Sequence, residues 1–371
     1  MMRRTNRIWA ALACGAAVMV SGVMAQEGGA PPPAARKSAG GAPLPEHKQN
    51  IELVRSLDAR GTYIHRVGDA LFLTPGNLKE EATGAGALFR LAADPAAPEL
   101  TSRTLPSAWD VVVTGTYALT CDYRKFMDVW EMREREWRPV ARLDLPSMAE
   151  NIVLRGNLAY IANHNAGLTI VDVSTPAKPV IMGRLDTRID CDALALWNNT
   201  AILYAHHQCR VEVADIRDPA NPRKRGECQF ELKTFNGGEL EVENGIAYVT
   251  TNKGVHIVDI TDAANPKPVA TVDLGVVAVD VMVTDGYLFV ANAARGVRVF
   301  DVKKPATPVE VGVYQSGDLV ASAVAIMRAP QSGMIAESAA EGVEYYAYTA
   351  NRKGPAMVLR FRAPDRREGR A

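Results

Sequence analysis

Residues 297–316, VRVFDVKKPATPVEVGVYQS, decide the fold. A short apolar run closes on Asp301, a turn follows with Pro305 and Pro308, and a second alternating run begins at Val309. The same arrangement recurs at 168–173 LTIVDV, 211–216 VEVADI and 255–260 VHIVDI, each leading within a few residues into a proline-containing turn. The most regular marker is the proline after each third run, at Pro98, Pro139, Pro179, Pro222, Pro266 and Pro308, with steps of 41, 40, 43, 44 and 42 residues. That period is the length of one four-stranded propeller blade.

Working outward from 297–316, residues 279–283 form a Val-rich run, Asp285-Gly286 a turn pair, and 287–291 a second run. Runs of about five residues rich in Val, Ile and aromatics suit strands and are too short for amphipathic helices. The aspartates ending the third runs, Asp172, Asp215, Asp259 and Asp301, stand where a short carboxylate accepts backbone N–H bonds of a turn. The prolines fit the turn and the first residue of the next strand, where no N–H donor is needed.

The segments LTIVDV, VHIVDI and VRVFDV, with the D-V-x-x-P-x-x-P pattern at 172–179 and 301–308, resemble the LVIVD repeat of bacterial and archaeal surface or periplasmic proteins. The resemblance covers about 146–316 and implies a β-propeller outside the cytoplasm. It implies no catalytic motif. Blade two departs most, with FMDVW at 126–130 in place of the motif, and AYVTTN at 247–252 is similar to the YVTN type of surface propeller.

Seven units follow, at 61–106, 107–145, 146–187, 188–230, 231–274, 275–316 and 317–362. The last has only three obvious strands, whereas 52–57 ELVRSL stands alone ahead of the first unit and matches fourth strands such as 140–145 VARLDL. The expectation is an all-β, seven-bladed β-propeller at 50–362 with the N-terminal strand closing the last blade and removing its open edge.

Arg3, Arg4 and Arg7 precede an apolar stretch at 8–20 and small residues at 23–25, so 1–25 reads as a secretory signal. The expected locations are periplasmic, cell-surface or secreted. The stretch is too short for a membrane span and no second one follows, so no transmembrane segment is expected. Cys14, in ALACG, is a lipidation candidate. Residues 26–49 read as a disordered Pro/Ala/Gly-rich linker and 363–371 as a charged tail.

The chain balances 42 basic against 42 acidic residues, and without the three leader arginines the charge is −3. Nothing in this balance points to nucleic acid. The sequence holds no G-x-S-x-G, H-E-x-x-H, C-x-x-C or phosphate-binding loop. A non-catalytic binding or interaction scaffold for a protein, glycan or small ligand is therefore the leading reading, with no cofactor expected. The alternative is a metal-binding protein or an enzyme with a site at the mouth of the central channel.

Two groups of residues carry that alternative. In blade four, DCD at 190–192 enters the first strand and HHQC at 206–209 forms the following hairpin on the same face. Cys191 and Cys209 are a disulfide candidate in an exported chain, although four cysteines after the leader allow three complete pairings. Asp192, His206, His207 and Cys209 are the metal candidates, since carboxylate, imidazole and thiolate all ligate zinc or copper. Adjacent histidines on a strand point to opposite faces, which counts against both holding one ion. The second group is Asp110, Asn151, Glu239 and Asp280, at equivalent first-strand starts, expected to ring the channel mouth as ligand or cation candidates. His164 and Arg295, in equivalent hairpins, are expected to face solvent.

Overall fold

Short apolar runs separated by Gly, Asn and Asp turns form antiparallel sheets in which each strand pairs with the next along the chain. The computed structural model describes residues 46–74, 86–91, 94–105, 108–133, 137–230, 238–317, 319–329 and 343–364. The expected leader with Cys14, most of the linker and most of the tail lie outside these. Among the described residues there is no helix, and none that could cross a membrane.

Seven sheets make seven blades. Blade one is Tyr63–Val67, Ala70–Thr74, Gly86–Arg90 and Glu99–Leu105; blade two is Asp110–Thr114, Tyr117–Cys121, Phe126–Met132 and Trp137–Asp144. Blade three is Asn151–Arg155, Leu158–Ala162, Leu168–Asp172 and Val180–Leu185; blade four is Ala193–Trp197, Thr200–Ala205, Arg210–Asp215 and Arg223–Gln229. Blade five is Leu240–Glu243, Ile246–Thr251, Gly254–Asp259 and Lys267–Asp273; blade six is Asp280–Thr284, Tyr287–Ala291, Val297–Asp301 and Val309–Gln315. Ala321–Arg328, Glu344–Asn351 and Met357–Arg362 begin blade seven, and Ile51–Ser56 pairs with Met357–Arg362 as its outer strand. The first strands touch in a closed ring, blade seven against blade one. The propeller closes as expected.

One strand was not foreseen. His47–Gln49, inside the expected linker, pairs with Val309–Gln315 as a fifth strand of blade six. Asn50 turns the corner at φ 54° and donates from Nδ2 to Val311 O at 2.7 Å, and the chain then enters blade seven. The N-terminal segment thus clasps two blades, with 47–49 in a strand where the sequence reading placed linker.

The core is divided among blade interfaces, because each sheet buries one apolar face against each neighbour. Leu119, Met127, Val129, Ile152 and Ile161 fill the layer between blades two and three, and Tyr287, Phe289, Tyr345 and Phe361 pack edge-on between six and seven. Among the described residues, the layer between blades one and two has the fewest buried in its cluster, Phe72, Val111 and Ala118, with Trp137 standing edge-on to Phe72. At the outer strands a glycine sets the spacing: a Cβ on Gly183 would lie 2.1 Å from the Pro219 carbonyl oxygen of the next blade. The third-strand aspartates cap turns as expected, Asp172, Asp215, Asp259 and Asp301 each accepting the N–H two residues on, at 2.8–3.0 Å.

Candidate channel-mouth site

The hairpin joining strands two and three of one blade reaches sideways to the segment entering the next blade. His164 and Cys191 exchange both backbone hydrogen bonds at 3.0 Å, and Tyr123 N–H donates to Ala149 O at 3.0 Å. Side chains of adjacent blades are thereby brought together around a central cavity of about 990 Å³.

Two kinds of acidic position line it. Asp110 Oδ2 accepts Asn151 Nδ2 at 2.7 Å and the Ile152 N–H at 2.9 Å, while Oδ1 accepts the Val111 N–H at 2.8 Å. Asn151 Oδ1 accepts Leu194 N–H at 3.0 Å, and Asp280 accepts Val281 and Val324 N–H groups at 2.7 Å. These side chains stitch blade two to three, three to four and six to seven. Burial raises the carboxyls of Asp110 and Asp280 despite those amide bonds, Asp280 to about 7, with the Asp110 charge adding to the Asp280 shift. Glu241 is pushed up to about 8 by burial and then by Asp280. Glu239 is raised well above the usual carboxylate range by burial, with Asp280 and Asp110 adding.

One residue before the stitch, the second kind faces the opening. Asp192 Oδ2 accepts the His206 N–H at 2.8 Å and lies 2.6 Å from His206 Nδ1, leaving Oδ1 buried without a hydrogen-bond partner. Glu150 Oε1 lies 3.7 Å from His164 Nε2, and His164 Nδ1 is buried without a hydrogen-bond partner, 3.5 Å from Asp190 Oδ1. One ligand atom from each of Glu150, His164 and Asp192 falls within 4.8 Å of the others. Burial and then the neighbouring Asp192 charge hold the Glu150 carboxyl well above its usual range. Beside this cluster runs an aromatic shelf, Tyr63 against Trp109 at 5.7 Å and Trp109 stacked on Tyr123 at 4.8 Å. Arg352 and Lys353 of blade seven line the cavity across the ring.

The LVIVD repeat family matches at residues 146–187, 238–273 and 277–316, the spans of blades three, five and six. The chain is an LVIVD-repeat β-propeller. Among curated proteins none matches it. Solved structures similar to this LVIVD-repeat propeller include the periplasmic gluconolactonase of Pseudomonas aeruginosa, 14% identical over 69% of this chain and 86% of that one, with a TM-score of 0.57. The WD40 domain of Toxoplasma gondii coronin is 12% identical over 87% and 86% of the two chains at 0.56, and a protein from Lactobacillus plantarum is 9% identical over 80% and 97% at 0.60. At these identities the likeness is one of fold.

Of the residues singled out in the sequence, Asp110, Asn151, Glu239 and Asp280 all line the cavity of the LVIVD-repeat propeller, as do Asp192, His206 and His207. The 206–209 turn bends the two histidines onto one side, ring centroids 3.9 Å apart, against the alternation expected of a strand. Burial and the His206 charge lower the His207 pKa. Cys209 ends that turn at φ 50°, its Sγ 3.5 Å from His206 O, and does not line the cavity.

The expected Cys191–Cys209 disulfide is absent. Cys191 is a free thiol in the layer between blades three and four, with Tyr160, Leu168, Ile170 and Leu203. Its backbone is bridged to blade three, which turns it away from its own hairpin. Cys228 is buried between blades four and five and Cys121 between two and three, so these three cysteines lie in three different interfaces. His164, expected to face solvent, is largely buried in the mouth because its hairpin meets blade four. Glu150 and His164 were missed, yet a signal exists: Glu150 to His164 and Asp192 to His206 are both 14-residue steps, set 42 residues apart.

Proposed function

We propose that this propeller is an exported, non-catalytic binding protein that holds a small cationic ligand in the mouth of its central channel. The observation carrying this reading is the cavity itself, where Glu150, Asp192 and Glu239 converge beside the Tyr63–Trp109–Tyr123 shelf. Acidic walls of low dielectric focus potential on a cation, and aromatic faces attract organic ammonium groups. Export rests on the arginine-led apolar leader at 1–25.

Thermal-shift and calorimetric titration with primary and quaternary amines, neutral sugars and dicarboxylates test the reading. Amines alone are expected to stabilise the protein, less so at high salt and in Tyr123→Leu. Stabilisation by no amine, or equally by sugars and dicarboxylates, overturns it. A second reading, a hydrolytic enzyme at the same mouth, is favoured by the Glu150, His164 and Asp192 cluster and by the buried Asp192 Oδ1. Turnover of a sugar lactone, abolished in Asp192→Asn, would select it over the binding reading.

A further inference from the structure

The geometry points to a divalent transition-metal site formed by Glu150 and His164 of blade three with Asp192 of blade four. It deepens the channel-mouth reading by naming the cation, and it rests on that reading only for its place in the fold.

Three observations carry it. The ligand atoms of all three residues lie within 4.8 Å of one another, so modest side-chain closure brings them to one ion at bond lengths of roughly 2.0–2.2 Å. Asp192 is only 5% exposed, yet no N–H or hydroxyl group donates to its Oδ1, and the group beside this carboxylate is a second acid, Glu150, an arrangement that an ion shared by the two would relieve. His164 contributes a second buried atom without such a partner, Nδ1, on a ring whose other nitrogen faces Glu150.

The surroundings complete the arrangement. His206 holds Asp192 Oδ2 through both its backbone N–H and its ring, which fixes the carboxylate and leaves Oδ1 for the ion. His206 is thus a positioning residue, not a ligand. Two carboxylates and one imidazole make a mixed donor set suited to zinc or manganese rather than to calcium, which takes oxygen ligands alone. Three protein ligands leave positions open toward the cavity, where an incoming molecule would meet the ion. The equivalent pairs Trp109 with Tyr123 and Val279 with Ala293 carry no such donors, and the pair Asp192 with His206 meets Gly238 from the next blade instead of a third donor, so of these junctions the three–four one alone brings three donors together.

The test uses the purified full chain stripped with chelator and dialysed, then titrated with zinc or manganese chloride alone by calorimetry, with bound metal counted by elemental analysis. One equivalent per chain is expected. Glu150→Gln and His164→Gln should each abolish stoichiometric binding while circular dichroism and melting show a folded propeller. His206→Gln should weaken binding by ~10–100-fold without changing stoichiometry. Cys209→Ser and His207→Gln should bind as wild type, since neither belongs to the set. Substoichiometric binding by folded wild type, or binding unchanged in both Glu150→Gln and His164→Gln, overturns the site. Amine binding is read with a different probe and no metal, so its success or failure is scored separately.

Discussion

Asp110 and Asp192 are both acidic, both buried and both in the channel wall, but they are answered differently. Every oxygen of Asp110 meets a donor from the backbone or from Asn151, and the result ties blade two to blade three. Asp192 spends one oxygen on His206 and keeps the other without a hydrogen-bond partner at the opening. An acid whose acceptors are filled by main-chain amides is part of the scaffold, whereas one left with a buried idle oxygen is available to a ligand. Acidic character alone would have grouped them.

The sharpest way to break this comparison is to remove a stitch. Asp110→Ala leaves the Val111 and Ile152 N–H groups and the Asn151 amide without their acceptor, and is expected to cost ~2–4 kcal/mol in urea denaturation. Asp110→Asn keeps one acceptor oxygen and should recover part of that loss. A loss below ~1 kcal/mol in the alanine variant would show that the stitch does not hold the ring.

The next effect belongs to two acids that burial, with neighbouring acids adding, holds above the ordinary carboxylate range. Glu241 titrates at about 8 and Asp280 at about 7 in the folded protein, against ordinary values of 4.5 and 3.8. Between those limits the folded chain binds more protons than the unfolded one. The stabilising contribution of the protonated groups is therefore full below about pH 4 and is lost as pH rises through 7 and 8. The melting temperature is expected to fall by ~3 °C or more between pH 5 and 8.5, and Glu241→Gln should flatten that fall. A slope unchanged in the variant would remove Glu241 from the cause.

These distinctions mark where the sequence could and could not be read. The blades were legible because the D-turn-P signal recurs with the same local chemistry, and 52–57 was placed by its likeness to fourth strands. His47–Gln49 was not, because HKQ has no apolar alternation and its place is set by main-chain pairing with Val309–Gln315. Asp110, Asn151, Glu239 and Asp280 were found from spacing, but their separate duties depend on which N–H groups the next blade presents. The entry 190–192 meets its own hairpin through Asp192 and Asp190, as expected, but Cys191 and His164 were misread because the same entry is also bridged at Cys191 to the preceding blade's hairpin. Sequence repetition reports what is common to the blades, and a site built from residues of two blades lies in what differs between them.

The smallest effect belongs to acids that cap turns in water. Asp301 Oδ1 accepts the Lys303 N–H at 3.0 Å, and Oδ2 lies 3.1 Å from the same lysine's ammonium. Solvent competes for both contacts, and an N–H freed at the surface is taken up by water rather than left buried. Asp301→Ala is therefore expected to cost no more than ~0.5–1 kcal/mol in the same denaturation measurement, with no change in metal or amine binding. Asp301 closes the same kind of third strand as Asp172, Asp215 and Asp259, so this value sets the baseline for a repeat aspartate. If Asp301→Ala cost as much as Asp110→Ala, burial of the answered amides would not be what distinguishes the stitch from the cap, and the comparison between Asp110 and Asp192 would lose its physical basis.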